Sequence, residues 1–472
     1  MSQNRSKWQI QLFLIVISLG IYVYGAHLQI TEVNTDMQAT DQYAYMVFTR
    51  TMVESDYTYW GDRNRMPLYP LLQSIFYDGT VTDELFFYRG KVINLALSVV
   101  ILLGLWWVFQ LYLDPIPAVL LWLITAFQVF IFKAGFFQAE LLFYFTSFCL
   151  FLLFARHLHT PDWRLALVTG ILAGLTHLTK ASVLPGLALF IALALGQWGW
   201  QLISQRNRDE VPDHTTPLAD ASQRLAYSIQ RFKLNQLMGI ILIPAFFLLT
   251  VSPYILESKQ IFGHYFYNVN STFYIWYDSW EEAKQGTRAY GDRVGWPDMP
   301  PEEIPSLSKY LAEHTWAQIG ERFSNGAYVV YRNVVTSYGY HRYLFFYLAL
   351  LLATVALNYQ ASFALFQQNP FVALFGLGYF NGYLILYSWY APIAAGNRFV
   401  LALFTPLFFS LFYVLKSVRD HKEEEEEEED QTNWVGPVLS SIPYLHYLVL
   451  FLLAIDIYLV ITVRVATQYG GR

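Results

Sequence analysis

The chain has 472 residues, 55% of them hydrophobic and 14% charged, and a formal net charge of −6. Soluble proteins of this length carry about 25% charged residues, so the composition excludes an ordinary soluble enzyme and a basic nucleic-acid binder and points to a membrane protein. The negative charge is local, in one acidic run over 423–430, and the single cysteine, Cys149, excludes an internal disulfide.

The N-terminus carries Arg5 and Lys7 before an apolar run, with no clean small-residue cleavage site after it, so it reads as a retained first helix. A spanning helix needs roughly 20 apolar residues. Such segments are 8–25, 91–112, 116–133, 137–155, 164–179, 182–199, 237–256, 342–358, 369–390, 398–415 and 443–463. The expectation is therefore an all-α polytopic membrane protein with about eleven transmembrane helices, in a range of 10–13. The stretch "LTKASVLP" separates the fifth segment from the sixth, where Lys180 and Pro185 favour a tight turn over one long helix.

Basic residues in short loops set the orientation. With the N-terminus inside, the inner segments hold Arg5, Lys7, Arg156, Arg164, Arg206, Arg208, Arg224, Arg231, Lys233, Lys416, Arg419 and Lys422. The short outer segments hold only Lys133, Lys180, Arg398, Arg464 and Arg472. This bias predicts a cytoplasmic N-terminus in the inner or plasma membrane, with two long loops, 26–90 and 257–341, on the extracytoplasmic side. The chain then divides into a core over 1–256 including the first loop, the loop region 257–341, and C-terminal helices over 342–472. The inner loop 200–236 reads as a solvated connector. The acidic cytoplasmic loop 416–442 contains the Glu run, expected to be disordered and solvated. Within the second outer loop, 306–334 reads as an amphipathic helix capped by Ser306, resting on the membrane or over a cavity.

Ionisable residues at helix depth are costly and tend to be functional. Under this topology Lys133, Glu140, His177, Lys180 and Arg398 all fall at the outer ends of helices, and Asp36 and Asp41 lie in the first outer loop. Each alone has an ordinary reading: snorkelling anchors for the cations, a first-turn acid favoured by the helix dipole for Glu140, a packing contact for His177. Together they concentrate on one face, which anchoring does not require. Asp456, near the middle of the last span, is the exception and the best argument for a transporter.

Cations at headgroup level suit a phosphate or pyrophosphate, and a carboxylate opposite can act as general base on a hydroxyl. Glycosyl transfer from a lipid phosphate needs that arrangement and no strong general acid, and one displacement inverts the anomeric centre, by analogy with glycoside hydrolysis. If a helix starts near Thr40, Asp41 lies in its first turn and Tyr45 one turn on, while Asp36 would be about 140° around. The positive helix end keeps Asp41 ionised.

Several stretches resemble, in order, the C-type membrane glycosyltransferase superfamily, nearest the protein mannosyltransferase and aminoarabinose transferase branch. They are "DQYAYMVFTRTM", "RNRMPLYP" over 63–70, "FQAELLFYF", "LTKASVLP" and "NRFVLALFTP". The resemblance implies a polyprenyl-phosphate sugar donor and an acceptor hydroxyl on protein, lipid or glycan, in a bilayer. By position it makes Asp41 the catalytic base, puts Lys180 and Arg398 at the donor phosphate, and places Glu140 on the acceptor side or beside a metal. Asp36, Tyr45, Arg63, Arg65, Lys133 and His177 complete the expected substrate-binding set. Many relatives have "DE" where this chain has "DQ", so Gln42 cannot be a second carboxylate ligand, and a divalent metal is left open. A transporter or lipid flippase, and a non-catalytic subunit of a surface assembly, remain the alternatives.

Overall fold

The computed structural model describes residues 2–206, 219–394, 396–429 and 437–468. Their regular structure is all helix, with no strand among them. In chain order the helices are α1 (Ser2–Leu28), α2 (Gln42–Glu54), α3 (Leu68–Ser74), α4 (Asp83–Tyr112), α5 (Pro115–Gln128), α6 (Glu140–His159), α7 (Trp163–Thr179), α8 (Leu184–Arg206) and α9 (Ala219–Phe262). There follow α10 (Val269–Thr272), α11 (Trp280–Gln285), α12 (Leu307–Glu313), α13 (Trp316–Thr336), α14 (His341–Leu357), α15 (Tyr359–Gln368), α16 (Pro370–Tyr390), α17 (Asn397–Glu429) and α18 (Pro437–Leu459).

The protein is an all-α polytopic membrane protein. Among the described residues nine helices are long and apolar enough to cross a bilayer, or ten if α13 and α14, bent by 108° at their junction, form one span. All eleven segments read from the sequence are helical. The lower count arises because α7 and α14 have 17 residues each, at the short end of what a bilayer requires. The break at Lys180 is a single extended residue followed by a 3-10 turn, Ala181–Val183.

Two expected loops are largely helix. The connector 200–236 is taken up by α8 and α9 apart from 207–218, which lie outside the described residues. The acidic loop 416–442 continues α17 as far as Glu429, and 430–436 lie outside the described residues. Glutamate is a good helix former, and the run is supported along the helix by Arg419–Glu423 at 3.5 Å and Lys422–Glu425 at 2.9 Å. The amphipathic segment 306–334 is interrupted at His314 and Thr315. Ser306 does cap α12, its hydroxyl accepting from the Lys309 amide at 3.3 Å.

The chain forms two compact units, neither continuous in sequence: 1–145 with 316–367 and 387–472, and 146–315 with 368–386. In the second unit α7 lies directly against α9. A methyl group on Gly170 would meet the Ile243 carbonyl at 2.7 Å, so the absence of a side chain lets the backbones approach, as small residues do in membrane helix pairs.

In the first unit α5 is apolar all round and buried along nearly its whole length, which suits the centre of a bundle. The Trp122 indole at its middle donates to the Leu102 carbonyl at 2.8 Å. One end of this unit gathers the end of α1, the starts of α4, α6 and α17, and the end of α18. There the Lys91 ammonium donates to the carbonyls of Ile30 and Asn34 at 2.9 and 2.6 Å, and the Gln29 amide donates to the carbonyls of Val465 and Gln468. At the other end Arg419 and Lys416 of α17 pair with Asp114 between α4 and α5, at 2.7 and 3.6 Å.

Candidate active site

The segment between α5 and α6 is what opens a site at the first of these ends. After a 3-10 turn at Phe130–Phe132 the chain runs irregularly to Glu140, almost completely buried. Non-helical backbone at membrane depth is tolerated only where protein satisfies it. Here the Asn94 amide donates to the Lys133 and Ala134 carbonyls at 3.4 and 3.1 Å, the Asn34 amide donates to Gly135 O at 2.7 Å, and Phe137 N donates to Gln42 Oε1 at 2.9 Å. Asn34 and Gln42 also exchange side-chain bonds at 2.8 and 2.9 Å. Gln42 is therefore an internal brace, fully buried, which joins the first loop to this segment.

That brace fixes the start of α2. Asp41 is its N-cap residue, and Tyr45 N donates to the Asp41 carbonyl at 3.1 Å. The Asp41 side chain does not cap the helix. It points the other way, one oxygen accepting from Arg65 at 2.7 Å and the other from Arg398 in the first turn of α17. Burial works against the charge on Asp41, and the guanidiniums of Arg398 and Arg65 outweigh it, holding the carboxyl well below the usual carboxylate range. Burial works against Arg65 in turn, and Asp41 and Asp62 more than restore its charge; Asp62 lies 3.8 Å from it.

Behind the carboxylate lies an aromatic wall. Tyr45, one turn into α2, packs edge to face on Tyr69 at 5.4 Å, and Tyr69 on Phe137 at 5.8 Å, with Phe86 completing the cluster. The Phe137 ring fits because residue 90 of α4 is glycine; a Cβ there would collide with it. Arg65 reaches over the Tyr45 ring at 5.8 Å. Glu140, the first residue of α6 and 2% exposed, lies within electrostatic reach of Arg398 and Tyr45. Burial, then the Glu140 and Asp41 carboxylates, keeps the Tyr45 phenol protonated well above its usual range. Tyr144 of α6 donates to the Arg398 carbonyl at 3.1 Å, which ties the two helix starts together.

Asp41, Tyr45, Arg65, Glu140 and Arg398 thus come together within the first unit. The other expected residues are placed as follows. Asp36 is exposed and accepts from its neighbour Gln38 N at 2.8 Å, a local turn of the kind aspartate favours. Arg63 is 0% exposed, with a left-handed φ of 57°. Lys133 is 9% exposed, its ammonium 5.2 Å from the Phe136 ring and 5.8 Å from the Tyr338 ring. His177 and Lys180 belong to the second unit. There His177 is 3% exposed and packs edge-on against Phe247 and Phe266. Asp456 forms an ion pair with Arg342 at 2.9 Å and accepts from the Tyr343 hydroxyl at 2.6 Å.

The donor set around Asp41 does not fit a divalent cation. Both carboxylate oxygens face guanidiniums, Gln42 is spent on Asn34 and Phe137, and Asp36 on its own turn. Among the described residues no three His, Cys, Asp or Glu side chains gather as metal ligands. The arrangement can hold an anion at Arg65 and Arg398 beside a carboxylate.

No family model matches the chain, and no curated protein matches it. Among solved structures it is similar to the apo form of an oligosaccharyltransferase from Archaeoglobus fulgidus, with 13% identity and a TM-score of 0.46. The match covers 98% of this chain and 56% of that one, so the chain spans about half the length of that protein.

Proposed function

We propose that the protein is an inverting glycosyltransferase of the C-type membrane superfamily. It would move a sugar from a polyprenyl-phosphate donor to a hydroxyl acceptor at the extracytoplasmic face. The observation that carries this reading is the Asp41 carboxylate held between Arg65 and Arg398 at the start of α2.

In the step, the acceptor oxygen bonds to the anomeric carbon as the carbon–phosphate oxygen bond breaks. The bonding pair leaves with the phosphate, and the hydroxyl proton passes to Asp41. Arg398 and Arg65 neutralise the charge gathering on the phosphate as fixed, preorganised donors. The same cations make Asp41 a poor proton acceptor while they are its only counter-ions. An arriving phosphate competes for them and raises the basicity of Asp41, so the base becomes competent when the donor is in place. Glu140 suits the acceptor side by its charge and burial.

Asp41→Asn should reduce transfer by about a thousandfold or more, within the span a positioned base and its electrostatics contribute, while binding of the lipid-phosphate donor persists. The measurement is product formation from a radiolabelled polyprenyl-phosphate sugar by the purified protein in liposomes, with donor binding read separately. Full transfer by the variant would remove Asp41 from the mechanism. Uptake of substrate with no product, in wild type, would favour a transporter.

A further inference from the structure

A second group of cations surrounds the bend between α13 and α14. Tyr338 and Gly339 there have φ of 63° and 81°, and these left-handed residues produce the bend. Gly339 is enclosed by polar atoms: a Cβ on it would lie 3.1 Å from Arg342 Nη2, 3.3 Å from Gln128 Oε1 and 3.4 Å from Arg464 Nη1. Two guanidiniums and an amide, from three different helical segments, thus converge on one point that only a glycine leaves open.

Their other contacts hold them in place. Arg464 donates to Tyr338 O at 3.2 Å and to Gln468 Oε1 at 2.7 Å, with its guanidinium 5.1 Å from the Phe132 ring. Arg342 donates to Gly339 O at 3.3 Å and pairs with Asp456. The Lys133 ammonium lies 5.8 Å from the Tyr338 ring. Of the two guanidiniums, Arg342 is paired with a carboxylate, Asp456. The amide of Gln128 is fully buried, and neither its Oε1 nor its Nε2 has a hydrogen-bond partner. Its two orientations are interchangeable, so it can offer N–H groups toward the glycine. Arg342 is 56% exposed, which leaves a way in. The backbone N–H groups at the start of α14 add the positive end of a 17-residue helix.

We propose that Arg342, Arg464, Gln128 and the Gly339 bend form a second anion site, separate from the one at Asp41, that takes a phosphate group. Guanidinium pairs recognise phosphate by its geometry. The site stands at the same end of the unit as the starts of α4, α6 and α17, where lipid headgroups would lie. Asn397 donates to Ser337 Oγ at 3.4 Å, so the bend is linked to the residue next to Arg398. The proposal does not depend on the transfer reaction, and it is read by binding without turnover.

The test is binding of phosphatidic acid to the purified full chain in phosphatidylcholine nanodiscs, followed by native mass spectrometry, with inorganic phosphate as competitor. Wild type should retain the lipid. Arg464→Gln should weaken retention about tenfold, the loss of one charge-assisted bond, while Arg464→Lys keeps part of it. Asp456→Asn should tighten retention, because it frees Arg342 from its competing carboxylate; a purely structural role for Asp456 predicts no gain. Arg464→Gln should weaken retention by the same factor in an Arg398→Gln background, where the Asp41 site has lost one of its cations. Displacement by inorganic phosphate identifies a site for the phosphate group alone, and resistance to it identifies one that also needs the acyl chains. Wild-type retention in Arg464→Gln, no gain in Asp456→Asn, or loss confined to Arg398→Gln would overturn the proposal.

Discussion

A single amide decides whether the acid at the head of α2 stands alone. Gln42 spends its hydrogen-bonding capacity inward, on Asn34, Phe137 and the Asp36 and Ala39 carbonyls, and its neighbour Asp41 spends its own outward on two arginines. A glutamate at position 42 would lose the donor to Asn34 Oδ1 and set a carboxylate against that carbonyl in a fully buried place. Gln42→Glu should therefore cost about 1–3 kcal/mol, seen as a lower unfolding midpoint, and should confer no divalent-metal dependence on transfer. An unchanged midpoint would show that the brace carries no weight. At this scale the sequence was only half legible. That Asp41 stands at the start of a helix could be read from residue order. That Arg65 meets the carboxylate could not, because the chain turns at Arg63, which is left-handed, and nothing in a run of arginines announces a positive φ.

Among the elements, α12 shows how an end can depend on pH. His314 follows its last turn, with Nδ1 2.9 Å from the Tyr310 carbonyl and Nε2 2.7 Å from Asp278. Burial disfavours the charged ring, but the Tyr310 carbonyl, Asp278 and the nearby Glu313 outweigh it and raise the pKa above the ordinary 6.5. A group raised on folding contributes its stability below the unfolded value and loses it as pH rises through the folded one. The amides of α12 should therefore exchange with solvent more readily as pH climbs above the ordinary histidine range, after correction for intrinsic exchange. In His314→Gln that added pH dependence should vanish; if it persists, the clamp lies elsewhere. From sequence, Ser306 was a readable cap and the interruption at 314–315 was not. A hydrophobic period carries across a one-turn break, and only the partner of His314, 36 residues earlier, reveals why the helix stops.

On the scale of the whole molecule, the spans were the most legible feature, since bilayer thickness imposes a length that composition must obey. Loop lengths were the least: α4 begins at Asp83 and α9 at Ala219, because polar residues extend a helix beyond the apolar stretch that identifies it. The orientation has a direct test. Thr58 and Glu424 are exposed, at the two ends of the first unit, and Cys149 is the single native cysteine. In a Cys149→Ser background, Thr58→Cys should react with a membrane-impermeant maleimide in sealed cells, and Glu424→Cys only after permeabilisation. The reverse pattern would put the Asp41 pocket on the cytoplasmic side.

The pair between Asp41 and Arg398 joins residues 357 positions apart. Arg65, 24 positions away, can reach Asp41 early, but Arg398 emerges from the ribosome 357 residues after Asp41. At about 5–20 residues per second the first loop waits on the order of tens of seconds before its second cation exists. A nascent or truncated chain therefore carries an acid with half its charge balance, and the pocket closes only after α1 to α16 have been made. Completion of the pocket is in this sense a record that synthesis has reached α17.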